Sequence, residues 1–167
     1  MSQLITFVLS LLCLFSLTAA EPLPNSNGSC LPAYRFDGKK LVLTDKEWNE
    51  RLTPEQFKVL RQQDTEPPYE NAYNDNKEKG IYVCAGCELP LFSSEAKYDS
   101  KTGWPSFWQP ICSQNVSYRE DHHWFITRTE VICSRCDGHL GHVFEDGPPP
   151  TGKRYCMNSA ALKFMAK

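Results

Sequence analysis

At 167 residues, with 41% hydrophobic and 23% charged side chains, the chain is long enough to bury one core and gives no reason to expect several. Its formal net charge of −2 offers no field for a polyanion, so nucleic acid is excluded as a partner on charge grounds. Beyond the N-terminus, no stretch is apolar enough to span a bilayer.

Residues 1–20 carry no charged side chain and close on Thr18-Ala19-Ala20 before Glu21-Pro22. This reads as a secretory signal with small residues at the cut, and predicts a secreted or periplasmic protein. The run lacks the usual Lys or Arg near its start, and if retained it would be a membrane anchor. Cys13 follows Leu11-Leu12 without the small residue expected before a lipid-modified cysteine. Residues 21–39 open on Pro, Asn, Ser and Gly and read as a flexible segment carrying Cys30.

Two short helices follow. Thr44-Asp45-Lys46-Glu47 and Thr53-Pro54-Glu55-Gln56 each fit a capping box, the second with Pro at the first helical position. Phe57, Val59 and Leu60 give the second helix its apolar stripe, and Gln62-Gln63-Asp64 ends it. From Gly80 the pattern turns to strands: Ile81–Cys84, Phe107–Ile111, His123–Thr129, Val131–Cys133 and Ala160–Phe164 are β-rich and broken by Gly, Pro and Asp. The expected fold is mainly β, an antiparallel core of two sheets, barrel-like, with the short helices packed outside.

Two Cys-x-x-Cys pairs, Cys84/Cys87 and Cys133/Cys136, supply four thiolates, enough for one tetrahedral structural zinc. The 45 residues between them suit a clip joining two parts of a β-domain better than a free-standing finger. Two tight disulfides, or a thioredoxin-like redox pair, are the alternatives that a secretory setting raises. No helix clearly starts at either pair, and a redox motif has no need of duplication.

The richest stretch is Cys133–Phe164. If Arg154 to Asn158 is a strand, its period of two puts Arg154, Cys156 and Asn158 on one face. A guanidinium beside a thiol favours the nucleophilic thiolate. His139 and His142 could each give a proton to a departing oxygen, and Asp146 could hold one imidazole in the useful tautomer. Cys156 alone would read as a small buried hydrophobe; the company of Arg154, Asn158 and two histidines reverses that reading. Earlier, Gly103-Trp104-Pro105-Ser106-Phe107 makes either a core corner or a ligand wall.

The runs His139-Leu140-Gly141-His142-Val143-Phe144, Asp146 and Arg154-Tyr155-Cys156-Met157-Asn158-Ser159 resemble, in order and spacing, the motifs of the methionine sulfoxide reductase B family. Gly103–Phe107 and the Leu60–Pro67 run are also similar. The resemblance implies that residues 40–167 are a catalytic domain reducing methionine sulfoxide, protein-bound or free, with a preference for the R epimer. By that resemblance Trp104 meets the substrate methyl group and Cys156 attacks the sulfur. His139 and His142, oriented by Asp146, stabilise and protonate the oxygen; Arg154 lowers the Cys156 pKa; Asn158 orders the network. Cys156 then becomes a sulfenic acid, which a thiol donor such as a thioredoxin-like protein must reduce. The metal would support the fold only, since some relatives lack these cysteines. A monomer is expected.

This chain departs from the family at Thr102, where many relatives carry the resolving cysteine, and at Met157, where Ile or Val is usual. Setting aside Cys13, the four zinc candidates and Cys156 leaves Cys30 and Cys112. Cys30, on its flexible segment, is the expected resolver; a Cys30–Cys112 bridge or direct external reduction are the alternatives. A zinc-clipped binding module and a disulfide oxidoreductase are the competing classes. Asn27-Gly28-Ser29 and Asn115-Val116-Ser117 fit glycosylation acceptors in a eukaryotic secretory pathway.

Overall fold

A computed structural model describes residues 30–123 and 126–167. The expected signal at 1–20 and the first part of the flexible segment, including Asn27, lie outside the described residues. Both helices form where their caps direct. In α1 (Asp45–Arg51) and α2 (Pro54–Gln62) the Thr44 and Thr53 side chains accept from the third backbone N–H, and Glu47 and Gln56 reach back reciprocally. Each such cap is worth about 1 kcal/mol, and α2 ends on Gln63 in the left-handed conformation.

In chain order the strands are β1 (Gly80–Cys84), β2 (Pro90–Ser93), β3 (Lys97–Tyr98), β4 (Ser106–Phe107), β5 (Val116–His123), β6 (Ile126–Cys133), β7 (His139–Phe144), β8 (Arg154–Met157) and β9 (Leu162–Ala166). They build two antiparallel sheets, ordered β2-β1-β9 and β3-β4-β8-β7-β6-β5. The larger sheet is open, with β3 and β5 at its edges, so among the described residues no closed barrel forms. Two sequence-predicted strands shift. Phe107–Ile111 pairs only through Ser106–Phe107, because Pro110 has no N–H to give a ladder. His123–Thr129 spans the end of β5 and the start of β6.

The core fills the space between the sheets. Tyr82 and Phe92 of the small sheet meet Phe107 of the large one, with ring centroids 5.0 and 4.5 Å apart. Tyr155 and Met157, the buried residues of β8, point into this layer, which leaves Arg154 and Cys156 on the opposite face. Trp48, Val59 and Leu60 seal one end under the helices. Fully burying each such side chain contributes roughly 1.5–3 kcal/mol.

The segment from residue 30 is pinned, correcting the expected flexibility over its second half. Cys30 is disulfide-bonded to Cys112, with Cα atoms 5.0 Å apart. The fully buried Asn115 accepts from Phe36 N–H at 2.9 Å and donates to the carbonyls of Tyr34 and Pro90 at 2.7 and 2.6 Å. That also removes Asn115 as a glycan acceptor in the folded chain. No helix among the described residues is long and apolar enough to cross a membrane.

Candidate active site and metal centre

The turn after β1 and the turn after β6 bring Cys84, Cys87, Cys133 and Cys136 into one buried cluster whose ligand atoms lie within 4.8 Å of one another. The Cys84–Cys136 and Cys87–Cys133 sulfurs are 3.7 and 3.4 Å apart. Those spacings are far beyond a disulfide and close to the edge, about 3.8 Å, of a tetrahedron with metal–sulfur bonds of ~2.3 Å. The donor set and its geometry fit a closed tetrahedral metal site.

On the large sheet one register row runs Tyr98, Ser106, Cys156, His142, Glu130, Arg119, one residue from each of the six strands. Directly opposed residues project to the same face, so the pairing itself sets a thiol beside an imidazole and the imidazole beside a carboxylate. His139 joins this face through a β-bulge. Val131 opposes Gly141 and Ile132 opposes His139, so Leu140 is the extra residue. Without it, two histidines three apart would point to opposite faces. Gly141 has φ +153°, and a Cβ there would collide with the Cys156 carbonyl oxygen. Glycine is what lets β7 approach β8 at Cys156.

Each imidazole is held by a carboxylate, that of His139 from the adjacent β6 and that of His142 from β5, two strands away. His139 Nδ1 donates to Glu130 Oε1 at 2.7 Å; the same carboxylate accepts from Arg119 Nε and Nη2 at 2.7 and 3.1 Å. His142 Nε2 donates to Asp121 Oδ2 at 2.8 Å, and Arg128 also donates to that oxygen at 2.7 Å. Burial lowers both histidine pKa values, against the opposing pull of Glu130 and Asp121. Burial also works against the Glu130 charge, but Arg119 and His139 outweigh it and hold the carboxyl below its ordinary range. Both imidazoles are therefore neutral donors to ionised carboxylates near neutral pH. His139 Nε2 is buried without a protein partner, and the two rings meet edge-on at 5.3 Å.

Cys156 and His142 line a small cleft of about 110 Å³ with Trp104, Phe144 and Asn158. Trp104 is braced rather than free: its indole N–H donates to the Glu66 carbonyl at 3.0 Å. Gly103 before it has φ +89°, and a Cβ would come within 2.7 Å of Pro68. Asn158 spans two elements, accepting from Glu66 N–H at 3.2 Å and donating its side-chain amide to the Leu140 carbonyl at 3.2 Å. The Glu66 carboxylate in turn accepts from the Ser159 and Ala160 N–H groups. Burial raises its pKa against those bonds.

Two expectations change, and a third, for Arg154, holds in direction only. Asp146 does not face an imidazole; it pairs bidentately with Arg154, both bonds 2.8 Å, out in the β7–β8 turn. Burial raises the Cys156 pKa and outweighs Thr102, Arg154 and Ser106, which pull it down, Arg154 as expected. The Arg154 guanidinium is stacked 4.2 Å over the Phe144 ring. Cys30 is bonded to Cys112, so it is no free resolver. Glu130, Asp121 and Glu66 were missed. Glu130 is 2% exposed and shares the face of Cys156 and His142 rather than the core face, so the alternation within β6 gave no sign of its role.

Residues 52–166 match the SelR domain family. The chain is 56% identical over 126 residues to a peptide methionine sulfoxide reductase MsrB of Methanosarcina barkeri, covering 75% of this chain and 89% of that protein. It is 53% identical to the Hahella chejuensis protein of that name, covering 75% and 90%, and 54% to that of Leptospira interrogans, covering 72% and 92%. A strand carrying Cys156, two carboxylate-held histidines and a braced tryptophan thus occur in a chain matched along most of its length, and the protein belongs to the methionine sulfoxide reductase B family.

Proposed function

We propose that the chain is an oxidoreductase that reduces methionine R-sulfoxide, protein-bound and free, through the Cys156 thiol. Reduction of methionine sulfoxide follows from family membership; the epimer is what the family resemblance implies, and the thiol route rests on the site. One observation carries the route: the sheet register opposes Cys156 to His142 in the cleft that Trp104 walls. The free nitrogen of His142 takes the thiol proton, and Asp121 stabilises the imidazolium. Cys156 Sγ then attacks the sulfoxide sulfur while Trp104 packs on its methyl group. The imidazolium, with His139 behind it, returns the proton to the oxygen.

The Sγ–S bond made in the attack breaks again as the protonated oxygen passes to Sγ, so that in sum an Sγ–O bond forms and the substrate S–O bond breaks. Cys156-SH and R₂SO become Cys156-SOH and R₂S, the cysteine sulfur losing the two electrons that the substrate sulfur gains. Two equivalents of an external thiol, such as a thioredoxin-like dithiol, reduce the sulfenic acid and release water. Direct reduction is favoured because the described cysteines other than Cys156 are bonded to each other or buried in the four-sulfur cluster. That cluster suits a structural zinc held by Cys84, Cys87, Cys133 and Cys136, which would brace the fold outside the reaction. The Cys30–Cys112 bridge and the apolar N-terminal run support a place in an oxidising compartment outside the cytosol.

The test is turnover of R and S methionine sulfoxide with dithiothreitol, for wild type and Cys156→Ser. The expected result is R-selective turnover that the variant abolishes. Turnover by Cys156→Ser, or selectivity for the S epimer, overturns the proposal.

A further inference from the structure

Arg154 is the obvious partner for a Cys156 thiolate, yet its Nε–Nη2 edge is engaged by Asp146. A hydroxyl also reaches the sulfur: Thr102 Oγ1 lies 3.8 Å from Cys156 Sγ. It does not stand alone. Thr102 Oγ1 is 2.8 Å from Ser100 Oγ, which is 2.7 Å from Ser106 Oγ. Ser106 Oγ in turn donates to the Trp104 carbonyl at 3.1 Å. Ser106 is fully buried and directly opposes Cys156 in the sheet.

We propose that Thr102, Ser100 and Ser106 form a hydroxyl relay that donates a hydrogen bond to Cys156 Sγ when the sulfur is a thiolate, with Thr102 in contact and the two serines as positioning residues. A carbonyl only accepts, so the Trp104 oxygen fixes the direction of the far end. Ser106 must donate to it, which leaves the Ser106 oxygen to accept from Ser100. While Cys156 is a thiol, its S–H points to Thr102 and Thr102 points to Ser100. When the proton leaves, Thr102 alone need rotate, and its O–H turns to the sulfur. A thiolate is a far stronger acceptor than a thiol, so the bond favours the ionised form. The relay ends on the backbone of Trp104, and so ties the ionisation of the nucleophile to the loop that carries the methyl-binding ring.

The other groups that face Cys156 are accounted for. His142 opposes it from β7, Arg154 lies on its own strand with Asp146 behind, and Tyr98 stands two strands away in the same row. The relay rests on Cys156 being the nucleophile, but it is read by an assay that needs no sulfoxide.

The experiment is the pH dependence of Cys156 alkylation by iodoacetamide in the full chain, followed by mass spectrometry of the Cys156 peptide. Thr102→Val keeps the shape and removes the hydroxyl; Thr102→Ser restores it. The expected result is a midpoint raised by about one unit in Thr102→Val, so that alkylation on the rising limb slows roughly tenfold. Thr102→Ser should follow the wild type, and Ser100→Ala should move part of the way. A wild-type profile in Thr102→Val overturns the relay, as does an equal shift in Thr102→Ser. Should Thr102→Val not fold, Ser100→Ala decides by the same criterion, since its hydroxyl does not touch the sulfur. Sulfoxide turnover is measured in the same preparations. An inactive wild type overturns the reductase reading, and the alkylation profile still decides the relay.

Discussion

Burial leaves the site with a neutral thiol and two neutral imidazoles before substrate arrives, because it raises the one pKa and lowers the others. In the proposed route, proton transfer from Cys156 to His142 would therefore be driven by what stabilises the product pair, namely the carboxylate behind His142 and the donors around the sulfur. His142→Ala should slow single-turnover sulfenic acid formation by ~10²–10⁴-fold; a full-rate variant would remove the histidine from the chemistry. Asp121 and Asp146 separate the observed contacts from the expected ones. Asp121 raises the His142 pKa, so Asp121→Asn should move the acid limb of kcat/KM to lower pH. Asp146→Asn, whose carboxylate touches Arg154, should leave that limb in place; the reverse pattern would restore Asp146 as the imidazole partner. The short motifs put Cys156, His142, Trp104 and Asn158 on the page from sequence, and the cleft gathers all four. The partners Asp121 and Glu130 were hidden because they come from other strands, through a register that no local pattern encodes.

At the scale of elements, what was legible was local. Capping boxes are four-residue signals, and both helices begin on them. The bulge in β7 was not legible, since it depends on the opposing strand, although Gly141 marks it. The anchoring of residues 30–39 was legible only in part: the cysteine count offered the Cys30–Cys112 bridge as an alternative, whereas Asn115, some eighty residues on in sequence, left no local sign. Asn115 had the appearance of a glycan acceptor and is instead a buried three-way hydrogen-bond hub. Asn115→Ala should unpair the Phe36 N–H and two carbonyls in one step and cost roughly 2–4 kcal/mol. Chemical denaturation with unchanged m-value is the measurement. A loss below half a kilocalorie would mean that the segment is not held by this side chain. Glu66 plays the matching part beneath the active site, where its two oxygens cap the turn after Asn158 while its backbone holds Trp104 and Asn158.

At the scale of the molecule, the two sheets share the aromatic layer but meet covalently only along the chain, and the four cysteines close that gap. Cys84 and Cys87 belong to the turn of the small sheet, Cys133 and Cys136 to the β6–β7 turn of the large one. Both helices lean on the same joint. Arg51 donates to the Gly86 carbonyl and Arg61 to that of Cys136, each at 2.8 Å. His139 starts β7 only three residues beyond Cys136, so a loosened knuckle would release the bulge that turns His139 inward. Removing the metal with a strong chelator under reducing conditions should release one zinc per chain. It should also lower the thermal midpoint by well over the ~4 °C that a 1–2 kcal/mol loss produces in a chain of this size. Cys87→Ser should do the same, and in the fraction that stays folded it should spare the intrinsic alkylation rate of Cys156 more than it spares turnover, because turnover also needs His139 in place. Metal-free protein with an unchanged midpoint, or stoichiometric disulfides within both Cys-x-x-Cys pairs of the native protein, would mean that the cluster is not a zinc clip.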